Sequence, residues 1–154
     1  MAMATVSPPW VYTLQLPRDP RAPGVARSTL RAVLRAHGMS ELIETAELLA
    51  SELVTNAYLH SEGAYSLRLR GAGRQRVRLS VWDTDPHIPA PFACNWSAEA
   101  PSVLAERGRG LHLITLWAES WGAYPMRAGL PGQGGKLLWV ECAGKAECQR
   151  SDLP

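Results

Sequence analysis

Between Ser40 and Ser61 the apolar residues fall on one side of a helix: Leu42, Ile43, Ala46, Leu49, Ala50, Leu53, Val54 and Ala57. A helix with one long apolar stripe must lay it on a second layer, so this segment alone demands a layered domain. Ser40 is a natural N-cap, Glu41 and Glu44 sit near the positive end, and Gly63 supplies the stop. Along the edge of the stripe stand Glu52, Asn56 and His60, each one turn beyond the last, stacked as a single polar row. Such rows are common on solvated helices, so what this one does depends on what the rest of the chain brings to it.

The second layer is legible as strands. Val11 to Leu16 alternates and ends at Pro17, and a Pro-rich link opens a helix over residues 22–37. Its inward positions are Ala26, Leu30, Val33, Leu34 and His37, with Gly38 as a left-handed stop. Tyr65 to Arg70 alternates, turns at Gly71-Ala72-Gly73 and is answered by Val77 to Trp82. From Asp83 to Arg107 periodicity disappears between Pro86, Pro89, Pro91 and Pro101, the pattern of a lid or binding loop. A third helix begins near Gly110, carries Leu111, Leu113, Ile114, Leu116 and Trp117, and is closed by Trp121-Gly122. A short strand over 123–126, a glycine-rich turn at 129–135 and a last strand over 136–142 follow.

Strand, two helices, hairpin, loop, helix and two strands predict an α/β (α+β) two-layer sandwich. Its sheet is mixed, mostly antiparallel, with helices on one face and the alternating Arg68, Arg70, Arg74, Arg76 and Arg78 on the other. Strands and helices do not alternate, which excludes a doubly wound dinucleotide fold. The domain spans 11–142, between a lead-in at 1–10 and a loose tail at 143–154.

A formal charge of +2 with scattered basic residues argues against nucleic-acid binding. No apolar run is long enough for a membrane span, and the N-terminus lacks the pattern of a signal peptide. Cys94, Cys142 and Cys148 are odd in number and lack zinc-ligand spacing, which fits free thiols in the cytoplasm.

Three elements give the polar row its context. Val81-Trp82-Asp83 delivers a carboxylate at a strand end, where it can accept a hydrogen bond from an exocyclic amine. Gly108-Arg109-Gly110-Leu111 leads the loop into a helix, where backbone N–H groups and the helix dipole favour phosphate. Gly134-Gly135-Lys136 precedes the last strand. A carboxylate such as Glu52 can act as general base, and a carboxamide oxygen such as that of Asn56 suits Mg²⁺, which takes few protein ligands.

In order and spacing these elements resemble the ATP-binding domain shared by gyrase, ATP-dependent heat-shock chaperones, histidine kinases and mismatch-repair ATPases. Within that superfamily the chain is most similar to small stand-alone serine/threonine kinases that act as anti-sigma factors in bacterial partner switches. The resemblance covers roughly residues 11–142, and Gly135-Lys136 with Trp139 fits the closing strand. It implies a Bergerat-type fold binding ATP and Mg²⁺. Glu52 would be the general base and Asn56 the Mg²⁺ ligand. Asp83 would accept the adenine amine, while Gly108, Arg109, Gly110 and Leu111 would cradle the phosphates. His60 would line the phosphate side, and residues 84–107 would form the lid.

Two departures stand out: Asp85 occupies a position where the superfamily carries glycine, and Leu137 one where many relatives carry a hydroxyl residue. The activity implied is transfer of the ATP γ-phosphoryl group to Ser or Thr of a small anti-anti-sigma-like partner. The alternative is a non-catalytic regulator that sequesters a sigma factor or other partner. The resemblance also allows a homodimer through the first strand and helix.

Overall fold

The computed structural model of the protein describes residues 9–93, 109–126 and 134–144. The start of the lead-in, residues 94–107 of the expected lid, Gly108, most of the glycine turn and the tail from 145 lie outside the described residues.

Five strands form one sheet in the order β1-β2-β3-β5-β4: β1 (Val11–Leu16), β2 (Tyr65–Gly71), β3 (Arg76–Asp83), β4 (Ser120–Pro125) and β5 (Lys136–Ala143). Every ladder among the described residues is antiparallel. Three helices cover one face: α1 (Ala22–Ala36), α2 (Ile43–His60) and α3 (Arg109–Trp117). The α+β architecture expected from the alternating strands and one-sided helices is present.

Strand alternation decides what each face carries. Tyr65, Leu67, Leu69, Val77, Leu79, Val81, Leu138, Val140 and Cys142 point under the helices and are buried. They meet Ala46, Leu49, Ala50, Leu53, Val54 and Ala57 of α2, the stripe that the sequence displays. The opposite face carries the arginines. Arg68 and Arg70 are exposed, whereas Arg76 pairs with Glu119 at 2.8 Å and Arg78 with Glu141 at 2.7 Å. The Arg78 guanidinium also lies 4.0 Å from the centre of the Trp139 ring.

Three local expectations are corrected. Ser40 does not cap α2 through its side chain: Ser40–Leu42 is a 3₁₀ turn that feeds the helix, and Leu42 stands at its N-cap. His37 does not point into the core. It stacks on Trp10 at 4.4 Å and shares a 2.9 Å hydrogen bond with the Tyr12 hydroxyl, fixing the end of α1 to the lead into β1. Trp121 and Gly122 do not close α3, which ends at Trp117; they belong to β4. Gly122 is needed there because the Trp139 indole lies against it, and an added Cβ would meet Nε1 at 2.6 Å. No helix among the described residues is long and apolar enough to cross a membrane.

Candidate functional site

The C-terminal end of α2 and the adjoining ends of β3 and β5 meet at one edge of the sandwich. Ser61, the residue after α2, is buried, and its hydroxyl lies 2.8 Å from that of Thr84, the residue after β3. That pair fixes the helix end to the strand end. Between them opens a cleft of about 280 Å³ walled by Asn56, His60, Asp85, His87, Pro89 and Lys136. A larger hollow of about 630 Å³ lies between the end of β1 and the start of α1. Its walls are mainly apolar, and its one charged pair is the solvent-exposed Asp19–Arg21 contact, so the smaller, more polar cleft is the candidate site.

Asn56 and His60 enter the cleft from successive turns of α2, as their spacing predicts. The carboxamide oxygen of Asn56 is buried and has no hydrogen-bond partner among the described residues. A buried acceptor left unpaired is expensive in a folded protein, and a ligand that supplies the missing contact recovers that cost. Glu52 stands one turn earlier, outside the cleft wall and half-buried. Its side chain makes no hydrogen bond or ion pair among the described residues, and burial raises its carboxyl from the ordinary glutamate value. That is the protonation behaviour of a group suited to accepting a proton.

Asp83 ends β3 on the core side and is buried. The sequence presents it as a free acceptor for an exocyclic amine; in the fold its Oδ1 already accepts from the Lys136 ammonium at 3.0 Å and from the Asp85 amide at 2.9 Å. Both charged side chains of the pair are only 1% exposed. The ammonium also donates to the Asp85 carbonyl at 3.0 Å and lies 3.6 Å from its Oδ2. Burial pushes the Asp83 carboxyl up, while the Lys136 ammonium and the Asp85 amide act against that rise. Asp85 therefore does not meet an incoming ligand as an isolated negative charge.

Lys136 is the cleft-lining residue to which sequence reasoning gives no role, placing it only at the start of the closing strand. One signal was available: only Lys136 and Lys145 are lysines in a chain that otherwise uses arginine. Gly135 makes the arrangement possible. Its φ is +90°, and a Cβ there would fall 1.8 Å from the Asp83 carbonyl oxygen. The two strands approach so closely at this point that only glycine fits. Leu137 lies on the other face from Lys136, opposite Trp82, and does not line the cleft.

Of the phosphate-cradle candidates, Gly108 lies outside the described residues, Arg109 and Gly110 open α3, and Leu111 is buried in the core. No cluster of three His, Cys, Asp or Glu side chains suited to a metal exists among the described residues. The donor set present, one unpaired carboxamide oxygen on a cleft-lining residue, nonetheless fits Mg²⁺, which is commonly held by few protein oxygens together with substrate phosphates.

No curated protein matches the sequence. A family model described as a histidine kinase-like ATPase domain matches residues 16–124, most of the chain, from the end of β1 to β4. It takes in α2 with its polar row, Asp83 at the end of β3, and the start of α3. On that match, and with an α+β sandwich of the corresponding kind, the chain belongs to the histidine kinase-like ATPase family.

Proposed function

We propose that this protein is a cytoplasmic ATP-dependent regulator of the anti-sigma type, which transfers the γ-phosphoryl group of ATP to a Ser or Thr hydroxyl of a small partner protein. The observation that carries this reading is the Asn56 carboxamide oxygen, buried without a partner at the cleft, with the desolvated Glu52 one turn behind it. ATP binding itself is what membership of the family implies.

In this reading Asn56 holds Mg²⁺, whose charge neutralises the phosphate oxygens when it is bound. His60 lines the same side of the cleft, and the start of α3 offers backbone N–H groups to the phosphates. Glu52, lifted by burial, accepts the proton of the attacking hydroxyl. Positioning and charge neutralisation supply most of the rate in phosphoryl transfer, and the base contributes the remainder.

A second reading, a non-catalytic module that sequesters a sigma factor or similar partner, is favoured by one observation. The Asp83 carboxylate expected to receive the base is already engaged by Lys136. Incubating the purified protein with γ-labelled ATP, Mg²⁺ and a candidate small antagonist protein separates the two. Label on a Ser or Thr of the partner supports the kinase; a stable, unlabelled complex supports the module.

A further inference from the structure

The last ladder pair between β3 and β5 is Asp83 with Lys136, and Asp85 stands two residues beyond it, past the end of the strand. The two carboxylates meet different surroundings. Asp83 is 1% exposed, accepts from the Lys136 ammonium and the Asp85 amide on one oxygen, and forms no part of the cleft wall. Asp85 lines the cleft, and its side chain is 27% exposed. A ligand in the cleft therefore meets the second carboxylate, not the first.

Asp85 is also held in place. Its amide donates to Asp83 Oδ1 at 2.9 Å, its carbonyl accepts from Lys136 at 3.0 Å, and its Oδ1 accepts from the His87 amide at 3.1 Å. Its Oδ2 has the Lys136 ammonium at 3.6 Å, beyond hydrogen-bond range. That ammonium tempers the negative charge without occupying the oxygen, which keeps its lone pairs for another donor. A ligand at this cleft is indicated independently by Asn56, whose buried carboxamide oxygen has no partner among the described residues.

A carboxylate oxygen with room for a donor selects an amine over a carbonyl. The 6-amino group of adenine donates to it, whereas the 6-oxo group of hypoxanthine sets acceptor against acceptor. We propose that Asp85, and not Asp83, is the base-reading residue of the cleft: its Oδ2 accepts from the 6-amino group of adenine, while Lys136 and Asp83 hold the segment that carries it. The proposal rests on reading the cleft as an ATP site.

The test is calorimetric titration of the full chain with Mg²⁺ and each of three nucleotides: ATP, ITP and purine riboside triphosphate, which carries only hydrogen at C6. The wild-type protein is expected to bind ATP ~10–100-fold more tightly than purine riboside triphosphate, the range for one hydrogen bond to a charged group. ITP should bind no better than purine riboside triphosphate. In Asp85→Ala, with folding checked by circular dichroism, ATP should fall to the level of purine riboside triphosphate, whose own affinity does not drop. Asp85→Asn keeps an acceptor oxygen without the charge and should retain part of the preference. An ATP preference undiminished in Asp85→Ala would overturn the proposal and return the role to Asp83. Equal loss for all three nucleotides would make Asp85 a structural residue and overturn it likewise. Wild-type protein that binds ATP without preferring it would overturn the proposal while leaving the ATP-dependent reading intact. Binding of none of the three would overturn both. If Asp85→Ala does not fold, Asp85→Asn decides, and an ATP preference equal to that of the wild type would overturn the proposal.

Discussion

At Asp83 and Lys136 each charge is shielded from solvent, so neither can fall back on water if the other is removed. Replacing both with neutral groups of like shape costs little, but removing one strands the other. Asp83→Asn should therefore lower the free energy of unfolding by about 3–5 kcal/mol, read from urea titrations, and the double variant with Lys136→Met should recover most of that loss. Asn56 is the opposite case. Its carbonyl oxygen has no partner to lose, and alanine is the better helix former, so Asn56→Ala should leave stability level or slightly raised. It should also abolish the Mg²⁺-dependent part of ATP affinity. Equal loss with and without Mg²⁺ would remove Asn56 from the metal's side of the site. Glu52 carries a pH signature. Burial raises its carboxyl in the fold, so the folded protein holds that proton more tightly than the unfolded chain does. Its contribution to stability is present below the unfolded pKa and is lost as pH rises through the folded one. Glu52→Gln should raise Tm near pH 7 and leave it little changed near pH 4. The same change should slow phosphoryl transfer by up to ~10²–10⁴-fold, toward the lower end where positioning dominates.

Among the elements, the junction of β3 and β5 carries the most. Gly135→Ala would drive a Cβ into the Asp83 carbonyl from a backbone conformation that alanine resists. The variant should lose nucleotide binding together with stability, by ~1–3 kcal/mol for an overpacked contact. Amide exchange should speed up at the Lys136 end of the ladder rather than at Ala143. This junction is also where the sequence was least readable. The helical stripe of α2 and the alternation of β2 and β3 are local patterns, repeated every turn or every second residue, and the fold reproduces them. Asn56 and His60 entered the cleft because helical spacing alone places them together. The Asp83–Lys136 pair joins residues 53 apart, and no periodicity announces it. Trp121-Gly122 misled for a similar reason. A glycine after a helical pattern reads as a stop, while its actual constraint is the Trp139 indole on the neighbouring strand.

For the molecule as a whole, the buried layer between sheet and helices can be followed through Cys142. It is fully enclosed, and its thiol is pushed up to about 12, chiefly by burial, so it holds almost no thiolate at neutral pH. In a Cys94→Ser/Cys148→Ser background, a disulfide reagent should find no reactive thiol in the native protein and one after unfolding in urea. Rapid labelling without denaturant would mean that the two layers part readily. The sheet order adds a constraint in time. β4 precedes β5 in the chain, yet its ladder is made with β5, which is inserted between β4 and β3. As the chain is synthesised, β1, β2 and β3 can pair as soon as they emerge, while β4 must wait beside an empty lane. The last strand fills that lane and delivers the ammonium to Asp83 in the same movement. Closure of this end of the sheet is thus deferred to the final step of assembly, and a chain halted before residue 136 would hold a three-stranded half-sheet with Asp83 still unpaired.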